Sequence, residues 1–260
     1  MLIPAKQIIV QSFSLYKNNW KKFISYLGLF FATTLIFSLF SVWLVQFDNS
    51  EKIIFNTGFF IFCFIALAVS VFSTWISITF TRLIAKLSNN EIADADVKQN
   101  LSATVRLIIP VFILSIIVGL IIFGGLLLFI IPGIIFGVWY AFAMYEIVLN
   151  DKKIKESLHN SKLLVKGRWW SVVWRLLAPT IVFTFITLML NYILVLPLGI
   201  ISRLVTLDPN SFWMVTLDST LQIASSIISV LILPLTITAP TILYLELRKT
   251  PVEENPTLQV

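Results

Sequence analysis

Few side chains in this 260-residue sequence could do chemistry in an apolar setting. Glu146 stands near the end of a long uncharged stretch, and Asn191 lies deep inside another. An ionisable or strongly polar group in such a stretch is a candidate ion or proton site, because keeping it away from water costs free energy. Glu146 is close enough to its border to reach water or to pair with a lysine of the following segment. Asn191 is most simply a hydrogen bond between helices. His159 falls on a polar segment with no nucleophile or carboxylate spaced to complete a triad, and it reads as a surface residue. With one histidine and one cysteine (Cys63), zinc, haem and iron–sulfur sites built from protein ligands are not expected, and no cofactor is. Phosphate loops, glycine-rich nucleotide fingerprints and nucleophile–base pairs are missing as well. The expectation is a protein that is not an enzyme.

The elements that must carry these residues are dictated by composition. The chain is 58% hydrophobic and 12% charged, with a mean hydropathy of +0.94. Soluble domains carry roughly 25% charged residues, so this chain cannot cover a globule of its size with water-facing surface. Its apolar surface must face lipid. A helix crosses the hydrocarbon layer in about 20 residues, and a central Asp, Lys or Arg costs roughly 2.5–3.5 kcal/mol, so uncharged windows mark the spans. Six are expected, at about 23–47, 54–81, 107–130, 132–149, 170–200 and 219–245. The uncharged run from Leu107 to Tyr145 would measure about 58 Å as one helix, too long for one crossing and right for a tight hairpin. Its break is expected at Gly124-Gly125 or at Ile131-Pro132-Gly133. The second is preferred, because proline stops one helix and suits the first turn of the next. The fold class is therefore all-α, a polytopic helical bundle forming one membrane domain over 1–249. A short acidic tail with two prolines, 250–260, is expected to be disordered. Met1 to Lys22 has neither the short apolar core nor the cleavage site of a signal peptide.

Basic residues orient the bundle. Six spans leave seventeen Lys and Arg on the side of the N-terminus and only Lys52 and Arg203 on the other. The positive-inside rule puts the rich side, with both termini, in the cytoplasm. The net charge of +6 is then a consequence of topology, so it lends nothing to nucleic-acid binding.

Segments between the spans are patterned. In Ala5 to Trp20 the apolar Ile9, Phe13, Tyr16 and Trp20 recur at helical spacing, as do Val97, Leu101 and Val105, and Ile154, Leu158 and Val165. Each reads as a helix lying in the cytoplasmic interface. Each also precedes a pair of spans, so the chain reads as three parallel units of surface helix, span and return span. At an offset of 149, Ser12, Leu15, Lys17 and Trp20 meet Ser161, Leu164, Lys166 and Trp169. Convergence on a lysine-and-aromatic membrane border could produce the same matches.

The region from Ile131 to Trp170 carries a family resemblance. Ile131-Pro132-Gly133 is followed by Phe136-Gly137-Val138-Trp139-Tyr140-Ala141-Phe142-Ala143, then Glu146, Lys155-Glu156-Ser157-Leu158, Asn160-Ser161-Lys162-Leu163-Leu164 and Lys166-Gly167-Arg168-Trp169-Trp170. This pattern resembles the membrane domain associated with glycerophosphoryl diester phosphodiesterases and the related YciC-like bacterial inner-membrane proteins. The resemblance implies a bacterial-type plasma membrane location. The phosphodiesterase activity of fused relatives would belong to a separate soluble domain, which is expected to be absent here, so no catalytic residue is carried over.

The same stretch has a direct physical reading. Gly133, Gly137 and Ala141 form a small-residue face, suited to packing within the fourth span or to a dimer interface. Trp169 and Trp170 beside Lys166 and Arg168, like Trp20 beside Lys17, make interfacial anchors that could hold anionic headgroups. The expected partners are the lipid bilayer, its anionic phospholipids, and a second copy or another membrane protein. The leading function is envelope or lipid organisation, or scaffolding of a membrane partner. A transporter or channel component for a small solute or ion is the alternative, suggested by the repeat, the proline breaks at Pro197, Pro234 and Pro240, and Glu146.

Overall fold

Long uncharged segments have one simple solution in lipid, the α-helix, which pairs every backbone N–H and C=O within the segment. The computed structural model describes residues 2–47, 57–89, 91, 97–204 and 212–250, and among them every regular element is helical. The order is α1 (Ala5–Phe47), α2 (Thr57–Ser88), α3 (Val97–Thr104), a 3-10 turn (Val105–Leu107), α4 (Ile108–Leu128), α5 (Ile130–Tyr140), α6 (Ala143–Asn150), α7 (Ile154–Val165), α8 (Trp169–Leu204) and α9 (Phe212–Lys249).

Among the described residues, five helical segments are long and apolar enough to cross a membrane: Phe60–Ser88, Val97–Leu128, Ile130–Asn150, Trp169–Leu194 and Thr220–Lys249. Their outer faces carry exposed apolar side chains such as Phe64, Leu120 and Ile193, which water would not tolerate in such numbers. The expected first span, 23–47, lies within α1. Its side chains from 41 to 47 lie outside the described residues, and it is not one of the five. Lys52, the tail 251–260, and the side chains of Arg203 and Asp218 lie outside them too.

The helix α9 is the centre of the bundle. Half of its membrane-length window is buried, against 11% for α2 and for α8. Leu235, Ala239, Leu243, Tyr244 and Leu247 of α9 pack with Ile8 of α1, Phe142 and Tyr145 at the α5–α6 border, Val165 of α7, and Val172 and Phe183 of α8. A second cluster joins Phe23, Tyr26 and Phe30 of α1 to Ile76, Phe80 and Ile84 of α2 and Val230 of α9. The third sets Val111 and Leu114 of α4 against Ile78 of α2 and Ile147 and Val148 of α6. Helix α9 runs on through Pro234 and Pro240, and α8 through Pro179 and Pro197.

The α4–α5 hairpin corrects the expected breakpoints. The chain turns at the single extended residue Phe129 (φ −163°, ψ 156°), between the two glycine sites. Pro132 falls in the first turn of α5, where its missing N–H breaks no helical bond. Gly125 stays inside α4 and faces Gly133. A Cβ on Gly125 would come within 3.0 Å of Gly133 Cα, and one on Gly133 within 2.5 Å of Leu126. The glycines allow close contact between two helices; they do not make the turn.

Surface-type segments also differ from their sequence reading. In α1 the backbone departs from helical geometry at Asn19 (φ −120°, ψ 18°), which divides the short first part from the long second. The most buried positions of that first part are Ile8 and Ser12, while Phe13 and Trp20 are exposed. On α7 the buried line is Ser157, Ser161 and Val165, whereas Ile154 and Leu158 are only partly buried. Small hydroxyl side chains let these short helices sit close to the bundle, which an apolar-stripe reading does not anticipate.

Candidate functional site

A network of polar and charged side chains lies at one end of the bundle, where α2 and α9 finish, α4 and α8 start, and α6 runs into α7. Glu146 lies on α6, close to its first turn, and is 2% exposed. Tyr244 Oη of α9 donates to its Oε1 at 2.7 Å, and Asn160 Nδ2 of α7 donates to its Oε2 at 3.3 Å. Both oxygens of a buried carboxylate are thus satisfied by neutral donors from two other helices, bonds worth about 1.5–3 kcal/mol each where one partner is charged. The expectation of water or a lysine as its partner is corrected: among the described residues Glu146 has no ion pair. Tyr244 in turn accepts from Asn150 Nδ2, and Asn150 Oδ1 accepts from Arg248. The chain Glu146–Tyr244–Asn150–Arg248 runs from the buried carboxylate to the exposed guanidinium. Tyr244 also stacks on Tyr145, with ring centroids 5.3 Å apart.

Beside this chain the α6–α7 link is held by arginines. Asp151 closes α6 in the left-handed conformation (φ 50°), and its N–H caps Ile147 O at 3.1 Å. Arg82 Nε donates to Val148 O at 2.7 Å, while Arg82 and Arg106 both reach Asp151 Oδ1, at 3.0 and 3.2 Å. A cavity of about 580 Å³ opens here, with Arg82, Lys86, Asn150, Tyr244, Arg248 and Lys249 in its wall.

The α7–α8 turn is the other polar junction. Gly167 adopts φ 78°, a left-handed conformation that a Cβ would strain. Arg168 then donates from all three nitrogens: Nε to Leu164 O at 2.8 Å, Nη2 to Leu247 O at 3.0 Å, and Nη1 to Thr250 O at 2.5 Å and Thr250 Oγ1 at 3.2 Å. The Leu164 and Leu247 carbonyls belong to the last turns of α7 and α9, where helix carbonyls lack a partner within their own helix, and Thr250 follows α9 directly. Burial lowers the Arg168 pKa from its ordinary value. Arg175 treats the chain start likewise, donating to Ile3 O at 2.7 Å and Leu2 O at 3.2 Å.

The residues expected to hold headgroups divide into two kinds. Lys17, Trp20, Lys166 and Trp170 are exposed, and Trp170 is 79% so. Trp169 is half-buried, meets Trp170 edge-on at 4.7 Å, and packs against the central cluster together with Tyr16 of α1. Arg168 is committed to the groups just named. Of the small-residue face, Gly133 and Gly137 look towards α4, where a Cβ on the latter would lie 3.9 Å from Ile122, and Ala141 packs on the central cluster. Asn191 is a correction: its Nδ2 donates to Thr187 O at 2.8 Å within its own helix, not across to another.

Sequence reading missed Tyr244, Asn150 and Asp151, and named Asn160 only within the family pattern. Arg82 and Arg248 entered it only as topology markers. Ser161 stands in the family pattern and matches Ser12, but neither gives it a role; it accepts from the Phe142 N–H at 3.1 Å and donates to Trp139 O at 2.7 Å, joining α7 to the α5–α6 bend. Asp151 carried a faint signal, a lone acid after Asn150 at the end of an apolar run.

A family model for the membrane domain of glycerophosphoryl diester phosphodiesterase matches residues 102–259, which include the polar site apart from Arg82 and Lys86 of α2. The chain belongs to that family. It is a multi-pass membrane protein, and the family description refers to the membrane domain of an enzyme, not to a catalytic part. No curated protein and no solved structure matches the chain. Among the described residues, no group of three or more His, Cys, Asp and Glu side chains could hold a metal ion.

Proposed function

We propose that this membrane domain is a non-catalytic module that organises anionic lipid around its basic end, in a bacterial-type plasma membrane with that end and both termini in the cytoplasm. The observation that carries the reading is a division of labour among the cations. Arg82 and Arg168 are consumed in closing helix ends and Arg175 in holding the chain start, whereas Lys17 and Lys166 stand exposed beside Trp20 and Trp170. Exposed lysines next to interfacial tryptophans suit anionic headgroups, each contributing about 1 kcal/mol near a charged surface.

The test is reconstitution into nanodiscs of equal phosphatidylglycerol and phosphatidylcholine, followed by mass spectrometry of the lipids that leave with the protein on mild extraction. Enrichment of phosphatidylglycerol over the input is expected. An unenriched mixture would reject the reading. The same spectra report a second copy or another membrane protein held in stoichiometric amount, the signature of scaffolding.

One observation favours a second reading, a transporter or channel component. Tyr244, which holds the buried Glu146, also lines the 580 Å³ cavity, so a conformational change could connect that carboxylate to water. Ion or solute flux into proteoliposomes that disappears in Glu146→Gln would promote this reading over the first.

A further inference from the structure

A second cavity, of about 630 Å³, lies on the outer side of the same end, between the start of α4 and the α6–α7 link. Its character is divided. Arg106, Lys152, Lys153 and Lys155 line one part, with Asp151 as the only carboxylate in the wall. The remainder is apolar, including Leu107, Ile109, Pro110, Ile113, Ile147 and Ile154. Ile109 is 71% exposed and Ile113 42%, and both belong to a segment of membrane-spanning character, so the apolar part opens sideways towards acyl chains. Asp151 is held by Arg82 at 3.0 Å and by Arg106 at 3.2 Å through one nitrogen of a guanidinium that is 70% exposed, so its single charge faces four cations of the wall and the groove keeps an excess of positive charge. Lys152 reaches Glu156 at 3.8 Å, while Lys153 and Lys155 have no ion-pair partner among the described residues.

We infer that this groove is a discrete site for one anionic phospholipid, its phosphate among Arg106, Lys153 and Lys155 and one acyl chain along Ile109 and Ile113. A soluble anion would have no use for the apolar wall, and a zwitterionic lipid none for the excess of cations. Charge complementarity and the sideways opening together select an amphiphile with a negative head. The inference rests on the lipid-organising reading and narrows it from a general enrichment to a single occupied position, with residues distinct from the lysine–tryptophan border.

Native mass spectrometry of the full chain, released from the equal-mixture nanodiscs and progressively stripped, tests it. One phosphatidylglycerol should survive stripping after the surrounding lipids are gone. In a variant with Arg106, Lys153 and Lys155 all changed to Gln, retention should fall by about a hundredfold, taking about fivefold per cation near an anionic head. Changing Lys6, Lys21 and Lys22 to Gln removes the same charge elsewhere and should leave that lipid in place. Equal loss in both variants would overturn the groove and leave general enrichment standing, whereas no enrichment even in the unaltered protein would sink the broader reading as well. Ile113→Trp keeps every charge and fills the apolar part, guarding against misfolding of the triple variant. It should displace the lipid. Retention undiminished by Ile113→Trp but lost with the cations would mean a headgroup-only or soluble-anion site, and overturn the proposal.

Discussion

The first part of α1 with its continuation, and α7 with α8, are two versions of one junction built with different strength. Positions 149 apart play matching parts. Ser12 and Ser161 are both fully buried, as are Ile8 and Ser157, and Phe23 and Val172. Where each short helix meets the long one, a side chain turns back to the carbonyl four residues earlier: Asn19 Nδ2 to Leu15 O at 3.1 Å, and Arg168 Nε to Leu164 O at 2.8 Å. The first junction stays helical except at Asn19, whereas the second breaks fully at Gly167. The difference lies in reach. The short Asn19 amide bonds back to its own helix, while the longer guanidinium has donors left for Leu247 and Thr250 at the end of α9. One junction bends a helix; the other fastens three helices together.

The largest expected effect follows from that contrast. Arg168→Ala strips the end carbonyls of α7 and α9 together and should lower stability by about 2–4 kcal/mol, given about 1.5–3 kcal/mol for a hydrogen bond to a charged group. Asn19→Ala removes one neutral bond and should cost about 0.5–1 kcal/mol. Unfolding in mixed detergent and SDS micelles would measure both. Arg168→Lys should recover little, because an ammonium cannot span two helix ends as a planar fork does. Equal losses at the two positions would show that the cross-link to α9 contributes nothing.

A middle-sized effect separates the two serines. Ser161→Ala leaves the Phe142 N–H without its partner in a buried bend and should cost about 1–3 kcal/mol. Ser12 donates only to Ile8 O at 2.8 Å in its own helix, and Ser12→Ala should stay within about 0.5 kcal/mol. The same SDS titration reads both. If Ser12→Ala cost as much, tight packing at the short helix and not the cross-helix bond would be the common cause.

What was legible beforehand follows the range of the physics involved. Uncharged runs mark helices because lipid enforces helical pairing segment by segment, so the limits of α4 and of the segment ending at Asn150 lie close to their expected positions. The hairpin break was placed within three residues, but Phe129 bears no mark of a turn; packing of Gly125 on Gly133 decides where the chain reverses. The site was less legible. Glu146 could be singled out as a buried acid, but its partner Tyr244 stands 98 residues away and follows no spacing rule. Asn191 was read as a bond between helices, and the side chain found a carbonyl of its own helix. Three of the arginines counted for topology, Arg82, Arg168 and Arg175, are committed to backbone carbonyls, which charge counting along a sequence cannot reveal.

The smallest effect sharpens the comparison most, because it tests the backbone alone. Gly167 and Asn18 occupy matching positions, yet Gly167 has φ 78° and Asn18 continues the helix. Gly167→Ala places a Cβ in a left-handed conformation and should cost about 1–2 kcal/mol. Asn18→Ala replaces an exposed residue of modest helix propensity with the best helix former and should gain up to about 0.7 kcal/mol. Opposite signs in one SDS titration would establish that the two junctions differ first in backbone geometry, with the Arg168 fork added to a true break. A neutral Gly167→Ala would mean that the turn can relax to helix, and the second junction would then owe its shape to Arg168 alone.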